Sequence, residues 1–386
     1  MLEKGFVFSG GIDMRSSCLL AISLYLMGAT VALAQTPQRT EGPGLKAQED
    51  SRYKAEIAMC KNYHPVIRNF GAAGGQPPPA GPPAYEGPAA VQAIPGVIAA
   101  GAHWRSVWHE SGNNADGIVA TPDGVLVAQQ DTSDVVLVNA AGHVKVVYKD
   151  TDTGGAVSIN RQGQTFIVER GLHQAIWEVS PDRKMLADTI DGDSLDCLGS
   201  GGLNDLTAAA NGGVYFTLGD LYYVAPRGTI TRQGDVTGTN GIILSPDEKR
   251  LYVTSGGFGR PGNLVVFDVQ PDGMLMNERV FAHLTGGGDG STVDSADRIY
   301  VSSGTVIDVI SPDDGHLLGV IPLPKGDDVI SLTFGGPGKR TLYAVALNHK
   351  YAKGGLGLPS DHLMGGQGGE LVAIRMLAHG YAGRAK

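Results

Sequence analysis

The chain has 386 residues, 30 basic and 39 acidic side chains and a formal net charge of -9, a balance that argues against a nucleic-acid partner because phosphate binding needs a basic face. A hydrophobic content of 42% excludes wholesale disorder, and 18% charged residues with many β-branched side chains argue against a helical bundle or coiled coil. The 57 glycines, about 15% of the chain and roughly twice the usual share, demand either a loose chain or a fold with very many tight turns.

Residues 18–34, CLLAISLYLMGATVALA, are an apolar run preceded by Arg15 and closed by Ala32-Leu33-Ala34. A basic start, an apolar middle and an A-x-A end describe a secretory signal peptide over residues 1–34, with cleavage after Ala34. Met14 is an alternative start, since Glu3 and Asp13 are foreign to such a segment. A run this short, with a glycine inside and no basic residues directly after it, is marginal for a membrane anchor. The expected location is therefore periplasmic or secreted, with no stable membrane anchor after cleavage. Export permits a disulfide between Cys60 and Cys197, but two lone cysteines leave the pairing open.

Residues 35–101 carry little strand pattern. The stretch GGQPPPAGPP (74–83) is extended or irregular because proline fixes φ and removes donors. This segment reads as a Pro/Gly-rich arm, partly ordered at best.

From residue 102 to the end the chain becomes short apolar strands punctuated by turn residues, and the pattern recurs. Four segments align: DGIVATPDGVLVAQQ (116–130), NDLTAAANGGVYFT (204–217), NGIILSPDEKRLYVT (240–254) and DGSTVDSADRIYVSS (289–303). AVSINRQGQTFIVE (156–169) and VISLTFGGPGKRTLYAV (329–345) are further copies without the opening acid or amide. Several short strands at intervals of 36 to 49 residues are the signature of β-propeller blades, and six copies predict an all-β, six-bladed β-propeller over residues 102–386. The last repeat has strands near 329–334, 341–347 and 370–376 and lacks a fourth; HWRSVW (103–108) is placed to supply it and to hide an edge.

In such a blade the first strand lines the central channel and starts at one mouth. Asp116, Asn204, Asn240 and Asp289 occupy the same phase of four repeats, so the fold predicts that they converge. Two carboxylates and two amides are oxygen donors suited to a hard cation such as Ca2+. No His or Cys run has zinc-like spacing. Asp-Gly and Asn-Gly are also common tight-turn pairs, so each position taken singly reads first as a turn, and it is their shared phase in four repeats, which turns do not require, that points to a common site.

The strings NDLTAAANGGVYFT, NGIILSPDEKRLYVT, DGSTVDSADRIYVSS and TFGGPGKRTLYA resemble the senescence-marker-protein/gluconolactonase (regucalcin-like) family over residues 102 to about 377. The resemblance implies a six-bladed propeller with one divalent metal at the channel mouth and hydrolysis of sugar lactones. It implies Asn240 as a metal ligand, Asp289 as both ligand and general base, and Asn204 as a substrate contact. Ca2+ is the leading metal, with Zn2+, Mn2+ and Mg2+ left open, and the partner is a small lactone or sugar-acid derivative. Two departures stand out. The family's Glu-Gly-Pro ligand is Asp116-Gly117-Ile118 here, while Glu86-Gly87-Pro88 sits in the arm with no blade after it. An arginine that some members carry two residues before the ND asparagine is Gly202 here.

A bound cation stabilises the oxyanion formed when water attacks a lactone carbonyl, and Asp289 removes the proton from that water. The chain has no G-x-S-x-G elbow, which disfavours a serine esterase. Loops 129–134, 169–174, 254–263 and 348–369 return to the predicted mouth; Gly256, Gly257, Gly259 and Gly262 in one, and Gly354, Gly355 and Gly357 in another, are candidate lids. His173 and Tyr351 read more readily as solvated loop residues than as substrate contacts. A non-catalytic propeller with a structural metal and a phosphotriesterase-type hydrolase are the alternatives.

Overall fold

Runs such as VLVAQ (125–129) and TFIVE (165–169) alternate or cluster β-branched side chains between turn residues and form strands wherever the chain is described. The computed structural model describes residues 51–65, 90–198, 202–256, 261–324, 327–348, 351 and 368–383. The predicted signal segment, Glu86, and Gly257, Gly259, Gly354, Gly355 and Gly357 lie outside the described residues.

A helix, α1 (Ser51–Ile57), precedes the strands. The strand β1 (Arg105–Glu110) is followed by a four-stranded antiparallel sheet of β2 (Ala115–Thr121), β3 (Gly124–Gln129), β4 (Asp134–Val138) and β5 (Val144–Tyr148). A second holds β6 (Ala156–Ile159), β7 (Thr165–Glu169), β8 (Ala175–Ser180) and β9 (Lys184–Ala187). A short hairpin, β10 (Thr189–Ile190) and β11 (Asp193–Ser194), then leads into a 3-10 turn at Leu195–Leu198.

The repeats starting at 204 and 240 merge into one six-stranded sheet. Its strands are β12 (Leu206–Ala208), β13 (Val214–Val224), β14 (Ile230–Leu244), β15 (Arg250–Ser255), β16 (Asn263–Val269) and β17 (Leu275–His283). The merger arises because β13 and β14 are long, and their pairing slips around Gly219 and Asp220 instead of ending in a loop. Next come β18 (Gly288–Val293), β19 (Ile299–Ser303), β20 (Val306–Ile310) and β21 (Leu317–Pro322). The last sheet is β22 (Asp327–Gly335), β23 (Thr341–Asn348) and β24 (Gly369–Arg375), with β1 paired antiparallel to β24 as its fourth strand.

The innermost strands touch in succession: β2 packs on β6, β6 on β12, β12 on β14, β14 on β18, β18 on β22, and β22 on β2. Apolar faces of adjacent sheets fill the spaces between them, as where Tyr300 meets Phe334 edge-on at 5.0 Å.

Two parts of the stretch read as an arm belong to the packed body. Ile94, Val97 and Ile98 are buried in the same cluster as Tyr300 and Phe334, so the body starts ahead of residue 102. Val97 O accepts hydrogen bonds from the Leu377 and Ala378 amides, which fixes this segment to the C-terminal stretch. Farther upstream, Cys60 and Cys197 form a disulfide. The backbone amides of Lys61, Asn62 and Tyr63 donate to the Asp193 carboxylate, and these bonds offset its desolvation and lower its pKa.

Candidate active site

Asp116, Asn240 and Asp289 lie inside β2, β14 and β18 rather than in turns. Each sits in a bulge. The pairing register slips between Ala115 and Ile118, between Thr239 and Ile242, and between Gly288 and Ser291. A bulge frees a residue from the ladder and re-aims its side chain, so the tight-turn reading of these pairs gives way to one in which the innermost strands are kinked at equivalent points. The glycine after each is required by close approach. A Cβ at Gly241 would stand 2.1 Å from the Asp289 carbonyl oxygen, and Gly117 and Gly290 abut the next strand in the same manner.

Asp289 is 8% exposed. Burial, then the charges of Asp116 and Asp205, push its carboxyl well above the usual carboxylate range, while Arg170 pulls the other way. Asn240 is equally enclosed, and among the described residues its Oδ1 accepts no hydrogen bond. A buried polar atom left without a partner costs about 1–3 kcal/mol. The Asn240 backbone is fixed by the Thr217 hydroxyl, which donates to its carbonyl at 2.5 Å. Thr254 ties the two strands together: its hydroxyl accepts from the Gly241 amide at 2.7 Å and lies 3.4 Å from the Asp289 carbonyl.

Two residues here escaped the sequence reading. Asp205 occupies the phase that is glycine in the other motifs, and its carboxylate accepts from the Leu206 amide at 2.8 Å and the Ile242 amide at 3.1 Å. Arg170 comes from the loop after β7, and its Nη1 pairs with Asp116 Oδ2 at 2.5 Å with both side chains largely buried. Its Nη2 donates to the Asn204 carbonyl at 2.6 Å and its Nε to the Leu203 carbonyl. Gly155 makes this possible, because a Cβ there would stand 1.8 Å from the guanidinium carbon. Gln130 Nε2 adds a 2.9 Å bond to the same Asp116 oxygen. An arginine thus reaches Asp116 and the Leu203–Asn204 backbone from the loop after β7, in a position that spacing along the chain does not reveal.

Asn204 precedes β12 and is half-buried, with its amide donating to the Thr217 carbonyl at 2.8 Å. Tyr351 stacks on His109 with ring centroids 4.2 Å apart. His173 is exposed and faces Glu56 of α1. Asp116, Asn240 and Asp289 fit a hard divalent cation: they supply two acidic groups and an amide oxygen that lacks a donor.

Residues 199–348 match the SMP-30/Gluconolactonase/LRE-like region. A gluconolactonase of Zymomonas mobilis is 22% identical over 291 residues, which cover 65% of this chain and 79% of that relative. Among solved structures, a gluconolactonase of Xanthomonas campestris superposes with a TM-score of 0.56 at 23% identity, covering 72% of this chain and 90% of that one. Regucalcin of Agrobacterium tumefaciens, a calcium-binding protein, superposes with a TM-score of 0.50 at 19% identity, covering 68% of this chain and 90% of the other. These findings support the family resemblance carried by the four motifs, and the mostly-β fold is shared with the solved structures.

Proposed function

We propose that the chain is an exported metal-dependent lactonase on a six-bladed β-propeller, opening a sugar lactone of the gluconolactone type. The succession of innermost strands returning to β2 supports the six-bladed ring. The observation that carries the function is that Asp116 and Asp289 stand at equivalent bulges close enough for their charges to oppose each other, while Asn240, at a third such bulge, has a buried amide oxygen that accepts no hydrogen bond among the described residues. Asp116, Asn240 and Asp289 would hold the cation, with Ca2+ foremost and Zn2+, Mn2+ or Mg2+ as alternatives. Such an ion supplies Lewis-acid polarisation of the lactone carbonyl and favours an ionised neighbouring carboxyl.

The protein's own groups do the rest. Asp289 accepts the proton of the attacking water as the new C–O bond forms at the carbonyl carbon. The ring C–O bond then breaks, and the proton passes to the departing alkoxide oxygen. Asn204, its backbone held by Arg170 and Thr217, orients substrate hydroxyls. The signal-like segment 1–34 and the disulfide both support export to the periplasm or beyond.

A pH-indicator assay with sugar lactones tests this. Wild type hydrolyses a lactone, chelator removes the activity, and Asp289→Asn lowers kcat by at least roughly a hundredfold. Activity that survives in Asp289→Asn, or that ignores chelator, sinks the mechanism. The Arg170–Asp116 ion pair favours a second reading, in which the guanidinium neutralises the acid and the mouth binds ligand without hydrolysis. That reading predicts ligand binding with no turnover of any lactone or ester.

A further inference from the structure

Glu56 of α1, His173 of the loop between β7 and β8, and Asp196 of the 3-10 turn are far apart in sequence. The fold brings one ligand atom of each to within 4.8 Å of the others. His173 Nδ1 lies 3.6 Å from Glu56 Oε2. Donors about 2.0–2.1 Å from a zinc ion stand roughly 3.3–3.4 Å apart in a tetrahedron, so this edge needs only a small turn of an exposed ring. We propose that Glu56, His173 and Asp196 form a second divalent-cation site, of the Zn2+ class, that fastens the N-terminal helix to the body of the protein.

Three observations support the assignment. One imidazole with two carboxylates is a borderline donor set suited to zinc, unlike the all-oxygen set of Asp116, Asn240 and Asp289. Glu56 and Asp196 are like charges that bear on each other, and Asp196 is 1% exposed, so a cation relieves a repulsion that water cannot screen. Asp196 is also oriented in advance. Its carboxylate accepts from the Ser194 hydroxyl at 2.9 Å, the Gln174 amide at 3.2 Å and Gln174 Nε2 at 3.3 Å, which are partners of the kind that position a metal ligand.

The location has a consequence for the mouth. Gln174 Oε1 accepts from the Leu203 amide at 2.6 Å, one residue before Asn204, and Asp196 adjoins the disulfide-bonded Cys197. A cation here and the Cys60–Cys197 bond together clamp α1 against the turn that leads to Asn204. The site is separate from the lactonase reading and does not rest on it.

The test is titration of the full oxidised chain with ZnCl2 by calorimetry, with thermal unfolding as a second readout. His173→Gly suits the left-handed backbone of that residue, where φ is 65°, and Glu56→Gln keeps shape while removing charge. Both variants are expected to lose one zinc equivalent and the zinc-dependent rise in Tm, while calcium binding and lactone hydrolysis persist. Asp289→Asn is expected to keep that equivalent. Zinc stoichiometry, affinity and Tm response unchanged in both His173→Gly and Glu56→Gln would overturn the proposal.

Discussion

Arg170 stands in two relationships at once. It neutralises Asp116 through a short, largely buried ion pair, and it holds the backbone at Leu203 and Asn204. In the proposed lactonase, the first would compete with a cation for the same carboxylate, whereas the second would serve the proposed substrate contact at Asn204. Removing it is therefore expected to have opposite effects on the two ligands. Arg170→Gln should raise the lactone KM by about tenfold, the loss of a charge-assisted hydrogen bond at its lower limit, with a smaller fall in kcat. Calorimetry on the same variant should show tighter Ca2+ binding, because a positive charge has left the site. Weaker Ca2+ binding would mean that Arg170 supports the cation site rather than competing with it. This arginine was not legible in the sequence. Its loop is predicted to face the mouth, but its reach depends on Gly155, whose missing side chain leaves room for the guanidinium.

At the scale of elements, the strands were legible because alternation and turn residues recur at a nearly regular interval. The β1 to β24 pairing followed from a strand missing in one place and spare in another. The bulges were not legible, since Asp-Gly and Asn-Gly look alike in a turn and in a kinked strand. Nor was the clustering of Glu56, His173 and Asp196, because spacing along the chain says nothing about residues so widely separated. The Cys60–Cys197 bond spans 137 residues and holds α1 on the body. Cross-linking a loop of that length stabilises mainly by restricting the unfolded chain. The double variant Cys60→Ser with Cys197→Ser is expected to lose about 2–5 kcal/mol in urea unfolding, measured against the oxidised parent. An unchanged midpoint would show that noncovalent contacts alone hold the helix, such as the amides of Lys61, Asn62 and Tyr63 on Asp193.

For the whole molecule, the glycine excess and the acidic balance meet in one place. Innermost strands that approach closely enough to exclude a Cβ carry Gly117, Gly241 and Gly290, and the residue before each is an acid or amide at a slip in the ladder. Asp116, Asp205 and Asp289 bring acidic groups together among the innermost strands, with Arg170 paired to Asp116. The central claim is that one divalent ion completes this arrangement and makes it a lactonase. A crystal structure of the oxidised protein grown with Ca2+ or a lanthanide substitute, read by anomalous scattering, tests it most directly. The account predicts one strong peak contacted by Asp116, Asn240 Oδ1 and Asp289, with Arg170 drawn back from Asp116. A site with no peak, and with Arg170 still paired to Asp116 at saturating metal, would contradict it.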